Sequence, residues 1–178
     1  METKEIKPAI AGLTLGLVSI VLFLLYYFTG LIYERSIVSF IPAIISIIII
    51  IVFINLWAKA KNNAVTYSSC FGYGFKSVAI ASLIVFFFML IFIYVFPDYK
   101  THMLDVIKEQ MNQNPQITDE QKEKGMSMVS KMFMISTLGG ALFGNLLIGA
   151  IASLIGAAIP KKVEVDPFTQ INQIGKPQ

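Results

Sequence analysis

The sequence predicts an all-α fold: an integral membrane bundle of four transmembrane helices with an extramembrane helical segment between helices three and four. Three observations predict it. Hydrophobic residues make up 56% of the 178 positions against 14% charged, and the mean hydropathy is +0.71, which is too apolar for a soluble domain of this size. The 25 strong charges lie outside four runs, residues 8–33, 36–58, 77–97 and 132–160, which hold 26, 23, 21 and 29 residues without Asp, Glu, Lys or Arg. Each run reaches the length of about 20 residues that a spanning helix needs. Alternating barrel patterning is absent, and a lone run can satisfy its backbone amides in lipid only as a helix. Together these features exclude a soluble enzyme, a disordered tail and a nucleic-acid module.

We read residues 1–178 as a single membrane domain with spans near 9–29, 37–58, 77–97 and 132–159. The first run follows Lys4 and Lys7 as a signal peptide would, but it far exceeds the apolar core of about 7 to 15 residues that is cleaved, so it is expected to stay as span one. Tyr26, Tyr27 and Tyr33 mark its far edge. Pro42 lies near the start of span two, and Trp57 with Lys59 anchors its end in the headgroups. Before span three, Tyr67, Phe71, Phe75 and Val78 share a helical face that Ser68 or Ser69 can cap, and Lys76 snorkels to the interface. Gly72 and Gly74 weaken that stretch by about 1 kcal/mol each relative to Ala. Pro97 closes span three and Pro160 closes span four.

The connector over residues 98–131 is polar but patterned. Tyr99, Met103, Ile107 and Met111 recur every fourth position with Leu104 beside them, giving one apolar stripe on a helix that ends near Asn112. Asn114 and Pro115 break it. Thr118 and Gln121 then form a capping box, with Asp119 and Glu120 in the first turn, where the helix dipole favours negative charge, and a second helix runs toward span four with Gly125 as a loosening point. The segment reads either as an amphipathic connector or as a docking surface outside the membrane. A tail, residues 161–178, follows span four.

Four spans put both termini on one side. That side carries eight Lys and Arg and the other six, and the loop over residues 59–76 has three lysines and no acid. Basic loops stay in the cytoplasm, so both termini are expected inside. The net charge of +3 reflects these loops rather than a nucleic-acid face.

Span four carries the strongest pattern. Thr137, Ala141, Asn145, Gly149, Ser153 and Ala157 form a ladder of small or polar residues at every fourth position, with Gly140, Gly144 and Gly156 beside it, and span one has Gly12 and Gly16. Small side chains let helix backbones approach closely in lipid, so these residues are expected to make the tightly packed seams, within one chain or across a dimer. Asn145, at mid-span, is expected to hydrogen-bond another helix, with a substrate contact as the alternative. The spans hold no Asp, Glu, Lys, Arg or His, which disfavours ion-coupled transport, and nothing at depth could activate a serine or hold zinc. The lone Cys70 cannot form a disulfide within the chain, and His102 reads as a surface helix residue. No catalytic, cofactor or metal site is expected.

Phe71 to Lys76, Pro97-Asp98-Tyr99, the mixed-charge helices and the glycine-rich last span ending Ile159-Pro160-Lys161-Lys162 resemble a family of four-span bacterial proteins catalogued as domain of unknown function 4199. The resemblance covers nearly the whole chain, with Gly74 as a departure. It implies a bacterial inner-membrane protein and no particular activity. The expectation is therefore a non-enzymatic membrane protein, structural or partner-binding, in contact with the lipid bilayer and with a second copy or another membrane protein. An oligomeric transporter or channel for small solutes is the alternative.

Overall fold

A computed structural model describes residues 5–34, 37–114, 116 and 118–160; the tail at 161–178 lies outside the described residues. The first span is α1 (Pro8–Phe28), with Lys7 extended before it and Pro8 in its first turn, where a missing N–H costs nothing. Gly30 turns the chain with φ of 77°, a left-handed conformation that favours glycine. Two short 3-10 turns, Leu31–Tyr33 and Ile37–Phe40, lead into α2 (Ile41–Ala60), which has Pro42 in its first turn. After α2, Asn62 and Asn63 adopt φ of 54° and 58°, and asparagine is among the residues that tolerate this region best.

Helix α3 (Tyr67–Val95) begins ten residues before the expected start of span three. The cap is Thr66 rather than Ser68 or Ser69. Thr66 Oγ1 accepts from Ser69 N at 3.2 Å, and Ser69 Oγ accepts from Thr66 N at 3.0 Å, so two orphan donors are satisfied reciprocally. With its start secured, α3 runs for 29 residues, roughly 43 Å, and overshoots a hydrocarbon core of about 30 Å. Phe96 leaves helical geometry, so α3 ends just before Pro97 as expected, and the same proline opens α4 (Pro97–Asn112).

Thr118 and Gln121 form the reciprocal capping box that starts α5 (Asp119–Gly139). Helix continues without a break through a π-turn at Gly140–Gly144 into α6 (Asn145–Ala158), 40 residues from Asp119 to Ala158. Gly125 does not loosen it: the helix runs through this residue unbroken, and a Cβ there would meet only the side-chain end of Met111. The connector is thus an α4–α5 hairpin with its apolar stripe turned inward.

Helix α3 is the hub. It packs on α1, on α2 and on α6, while α2 packs on α6 and more lightly on α1. The core divides in two. Around the N-terminal end of α1, Ala11, Leu15, Ile50, Ile54, Ala58, Cys70, Tyr73, Val78, Ala152 and Ala157 are buried together. At the other end Phe92 collects rings from Phe23, Tyr27, Phe88, Phe96 and Tyr99 at 4.8 to 5.6 Å. Such ring pairs contribute about 0.5–1.5 kcal/mol each beyond burial. They tie α1 and α3 to the start of α4. Outward, Leu17, Phe87, Ile91, Phe143 and Leu147 are all more than half exposed, an apolar belt that suits lipid.

Candidate functional site

Between the two core clusters lies a cavity of about 490 Å³ with walls from all four spans. Its floor is Leu15 of α1, Ile50 of α2, Val78 of α3 and Gly149 of α6, and its upper wall includes Phe23, Tyr26, Met89 and Tyr99. Small residues leave the space open: Ala43 on α2, Ala81 and Ser82 on α3, Ala141 in the π-turn. The disposition of α2 does the rest. It packs on α6 near the floor, where Ile54 lies against Gly156, but no Cα of α2 comes within 8 Å of α5 or the π-turn. The bundle is closed at one end and parted between α2 and α5 toward the other.

The lining is apolar with a few polar atoms, and among the described residues it carries no Asp, Glu, Lys, Arg, His or Cys. Most of those polar atoms already donate to backbone carbonyls of the protein. Ser19 Oγ donates to Leu15 O at 2.8 Å, Ser46 Oγ to Pro42 O at 2.9 Å, Tyr26 Oη to Val38 O at 2.8 Å and Asn145 Nδ2 to Ala141 O at 2.6 Å. Ser82 differs. Its side chain is 1% exposed and its Oγ has no hydrogen-bond partner in the protein. At the upper rim Tyr99 is buried, and desolvation, with a smaller contribution from nearby Tyr33, pushes its phenol up to about 12.

The small-residue ladder of span four divides by depth. Thr137, Ala141, Asn145 and Gly149 line the cavity, whereas Ser153 and Ala157 are buried against neighbouring helices. A Cβ on Gly149 would overlap Val78, one on Gly156 would stand 2.7 Å from Ile54 Cδ1, and Ser153 Oγ lies 2.7 Å from where Gly74 would carry one. On α1, a Cβ at Gly12 would meet Ser77 O at 2.6 Å, and Gly16 faces Ile84. Spans one and four therefore each pack closely on α3 and not on one another, because α3 stands between them. Gly140 and Gly144 make no seam within the chain, because no atom of another element lies within 4 Å of either Cβ position, which leaves for them the other place expected, a seam across a dimer. Asn145 bonds its own helix across the π-turn rather than another helix, since the face it occupies looks into space.

The expected headgroup anchors also separate. Lys59 and Lys76 are exposed, but Trp57 is half-buried, stacked on Tyr73 at 4.9 Å and donating to Glu5 Oε1 at 3.2 Å. Glu5 pairs with Lys61 at 2.9 Å, and that hydrogen bond holds its carboxyl below the usual value. His102 lies against Tyr33, ring centroids 5.4 Å apart, away from the cavity. Sequence reasoning passed over Ser19, Ser46 and Ser82. The available signal was that each of the four runs carries hydroxyl residues in its interior, with Thr137 as the fourth.

Four helices long and apolar enough to cross a membrane, packed around a cavity that among the described residues is lined by no charge, define a multi-pass membrane protein of the all-α bundle class. The chain belongs to the family described as Protein of unknown function (DUF4199), whose match covers residues 11–162 and so takes in all four spans and the α4–α5 hairpin. No curated protein and no solved structure matches it.

Proposed function

We propose that this chain is a non-enzymatic binding protein of a bacterial inner membrane, with both termini in the cytoplasm, that holds a small and mainly apolar molecule among its spans. The cavity carries this reading. Its volume of about 490 Å³ falls in the range of roughly 300–1,000 Å³ typical of small-molecule sites, which are likewise apolar with a few placed polar groups. The lining hydroxyls have no neighbouring base among the lining residues to make one a nucleophile, which favours binding over chemistry. The floor is made of buried residues, Leu15, Ile50, Val78 and Gly149, which favours holding over passage and so ranks this reading above a channel.

Gentle purification should leave a bound small molecule on the wild-type protein that mass spectrometry of the native complex detects, and Ala43→Phe, which fills the upper cavity, should lose it. Equal occupancy of both proteins would overturn the assignment. A C-terminal fluorescent protein should light up, and a C-terminal alkaline phosphatase should stay inactive; the reverse would invert the proposed topology.

Partner binding on the α4–α5 hairpin is the second reading. Met128 favours it, being 64% exposed beside Glu123, Lys124 and Lys131. Against it, Tyr99, Met103 and Leu104 are packed into the upper core and offer a partner no apolar stripe. Co-purification from native membranes that depends on Met128 would support it.

A further inference from the structure

We infer that the cavity takes an uncharged single-chain lipid whose head bears hydroxyl groups, admitted sideways from the bilayer between α2 and α5, with Ser82 as the head-group contact. The inference rests on the binding reading above and specifies its ligand. Three observations lead to it.

The first is charge. Among the described residues no ionised side chain lines the cavity, and an ion at membrane depth without a counter-charge is costly, so a carboxylate, phosphate or ammonium head is selected against.

The second is the pattern of donors and acceptors. Ser19 and Ser46 each direct their one hydroxyl proton to a carbonyl of their own helix, so toward a ligand their oxygens act as acceptors, while Asn145 spends one of its two amide protons on Ala141 O and keeps both an acceptor oxygen and a second donor. A carbonyl-only head would leave these acceptors unmatched; hydroxyl groups supply the protons they lack. Ser82, buried and without a protein partner, can both donate and accept, and leaving such a group unsatisfied is unfavourable.

The third is access. The parting lies between two spans, where α2 stays clear of α5 and of the π-turn, so the cavity communicates with the region that the exposed apolar belt assigns to lipid. Hydrocarbon then lies along Phe23, Val85, Met89 and Ile148, while the head reaches Ser82, Ser46 and Asn145. The volume, in the lower half of the usual range for small-molecule sites, suits one chain rather than two.

The test uses the full-length protein in liposomes with three photoactivatable probes of the same chain length: a monoacylglycerol, a fatty acid and a fatty amine. The monoacylglycerol should label Val85, Met89 and Ile148 saturably, with competition by unlabelled monoacylglycerol, and the charged probes should label them at least tenfold less well. Ser82→Ala should weaken saturable labelling about three- to tenfold, the loss expected for one hydrogen bond. Leu83→Ala, on the exposed neighbouring face, should leave it unchanged. Saturable labelling by the fatty acid equal to that by the monoacylglycerol, or labelling indifferent to Ser82→Ala, would overturn the hydroxyl-head assignment while leaving the cavity as a binding site. Non-saturable labelling confined to Leu83, Phe87 and Ile91, unaltered by Ala43→Phe, would overturn both.

Discussion

Substituting Gly149 by Ala tests the closest approach in the bundle. The added Cβ would overlap Val78 Cγ1 and come within 2.7 Å of its Cγ2 and 2.9 Å of its Cβ. Val78 is 2% exposed in the middle of α3, and a β-branched residue in a helix has one strongly preferred χ1, so the side chain cannot swing away. The helices must separate instead. Overpacking of this kind costs about 1–3 kcal/mol, and here it would also disturb the cavity floor that Gly149 and Val78 share. The assay is reversible unfolding in mixed micelles, run as a double-mutant cycle with Val78→Ala. Each single variant should be destabilised, Val78→Ala by roughly 1.5 kcal/mol for two buried carbons. The double variant should recover, with a favourable coupling of about 1 kcal/mol or more. Gly72→Ala is the internal control, because nothing lies within 4 Å of its Cβ position; it should be neutral or stabilising by up to about 1 kcal/mol. Wild-type stability in Gly149→Ala, or strict additivity with Val78→Ala, would refute the packing described for α3 and α6.

Three further outcomes follow from the geometry. Asn145→Leu should leave stability within about 1 kcal/mol of wild type, because its amide bonds Ala141 O of its own helix, yet should reduce monoacylglycerol labelling; a large loss of stability would restore an interhelical role. Burial pushes the Tyr99 phenol up from its ordinary 10.0 to about 12, so the folded state binds the proton more tightly. Stability should be constant below pH 10 and fall as pH rises from 10 to 12, by on the order of 2–3 kcal/mol. Tyr99→Phe should flatten that decline in unfolding measurements at alkaline pH, and an unchanged profile would exclude Tyr99 as its source. Glu5 has its carboxyl held below 4.5 by Lys61, so its contribution is present above 4.5 and is lost as pH falls through the depressed value. The single Trp57, bonded to Glu5, should report this as a fluorescence change that Glu5→Gln abolishes.

How much was legible beforehand depends on whether a feature is local. The capping box at Thr118 and Gln121 could be read from two residues three apart, because both partners belong to one turn. The start of α3 could not be placed as well. Thr66 and Ser69 form an equivalent box, but Gly72 and Gly74 lower helix propensity downstream, and tertiary contact outweighed it: Gly74 is required where Ile54 and Ser153 press on the backbone. The ladder of span four was visible as a period, yet period alone could not say what each face meets. Gly149 and Gly156 touch neighbouring helices, Gly140 and Gly144 touch none, and Asn145 looks into space.

The sequence by itself determined the solvent, the number of spans, the cap at Thr118 and the scarcity of charge at depth, since each follows from runs of residues and their immediate neighbours. Hydropathy is a sum along the chain, and a cap is closed within one turn. Tertiary structure alone decided that α3 is the hub, that spans one and four never meet, and that α2 leans on α6 while standing clear of α5. That divergence is a relation between helix axes that no single run encodes. It gathers one hydroxyl or more from each span around about 490 Å³ of space and leaves Ser82 buried without a partner, which is why the candidate site appears only when the four helices are packed together.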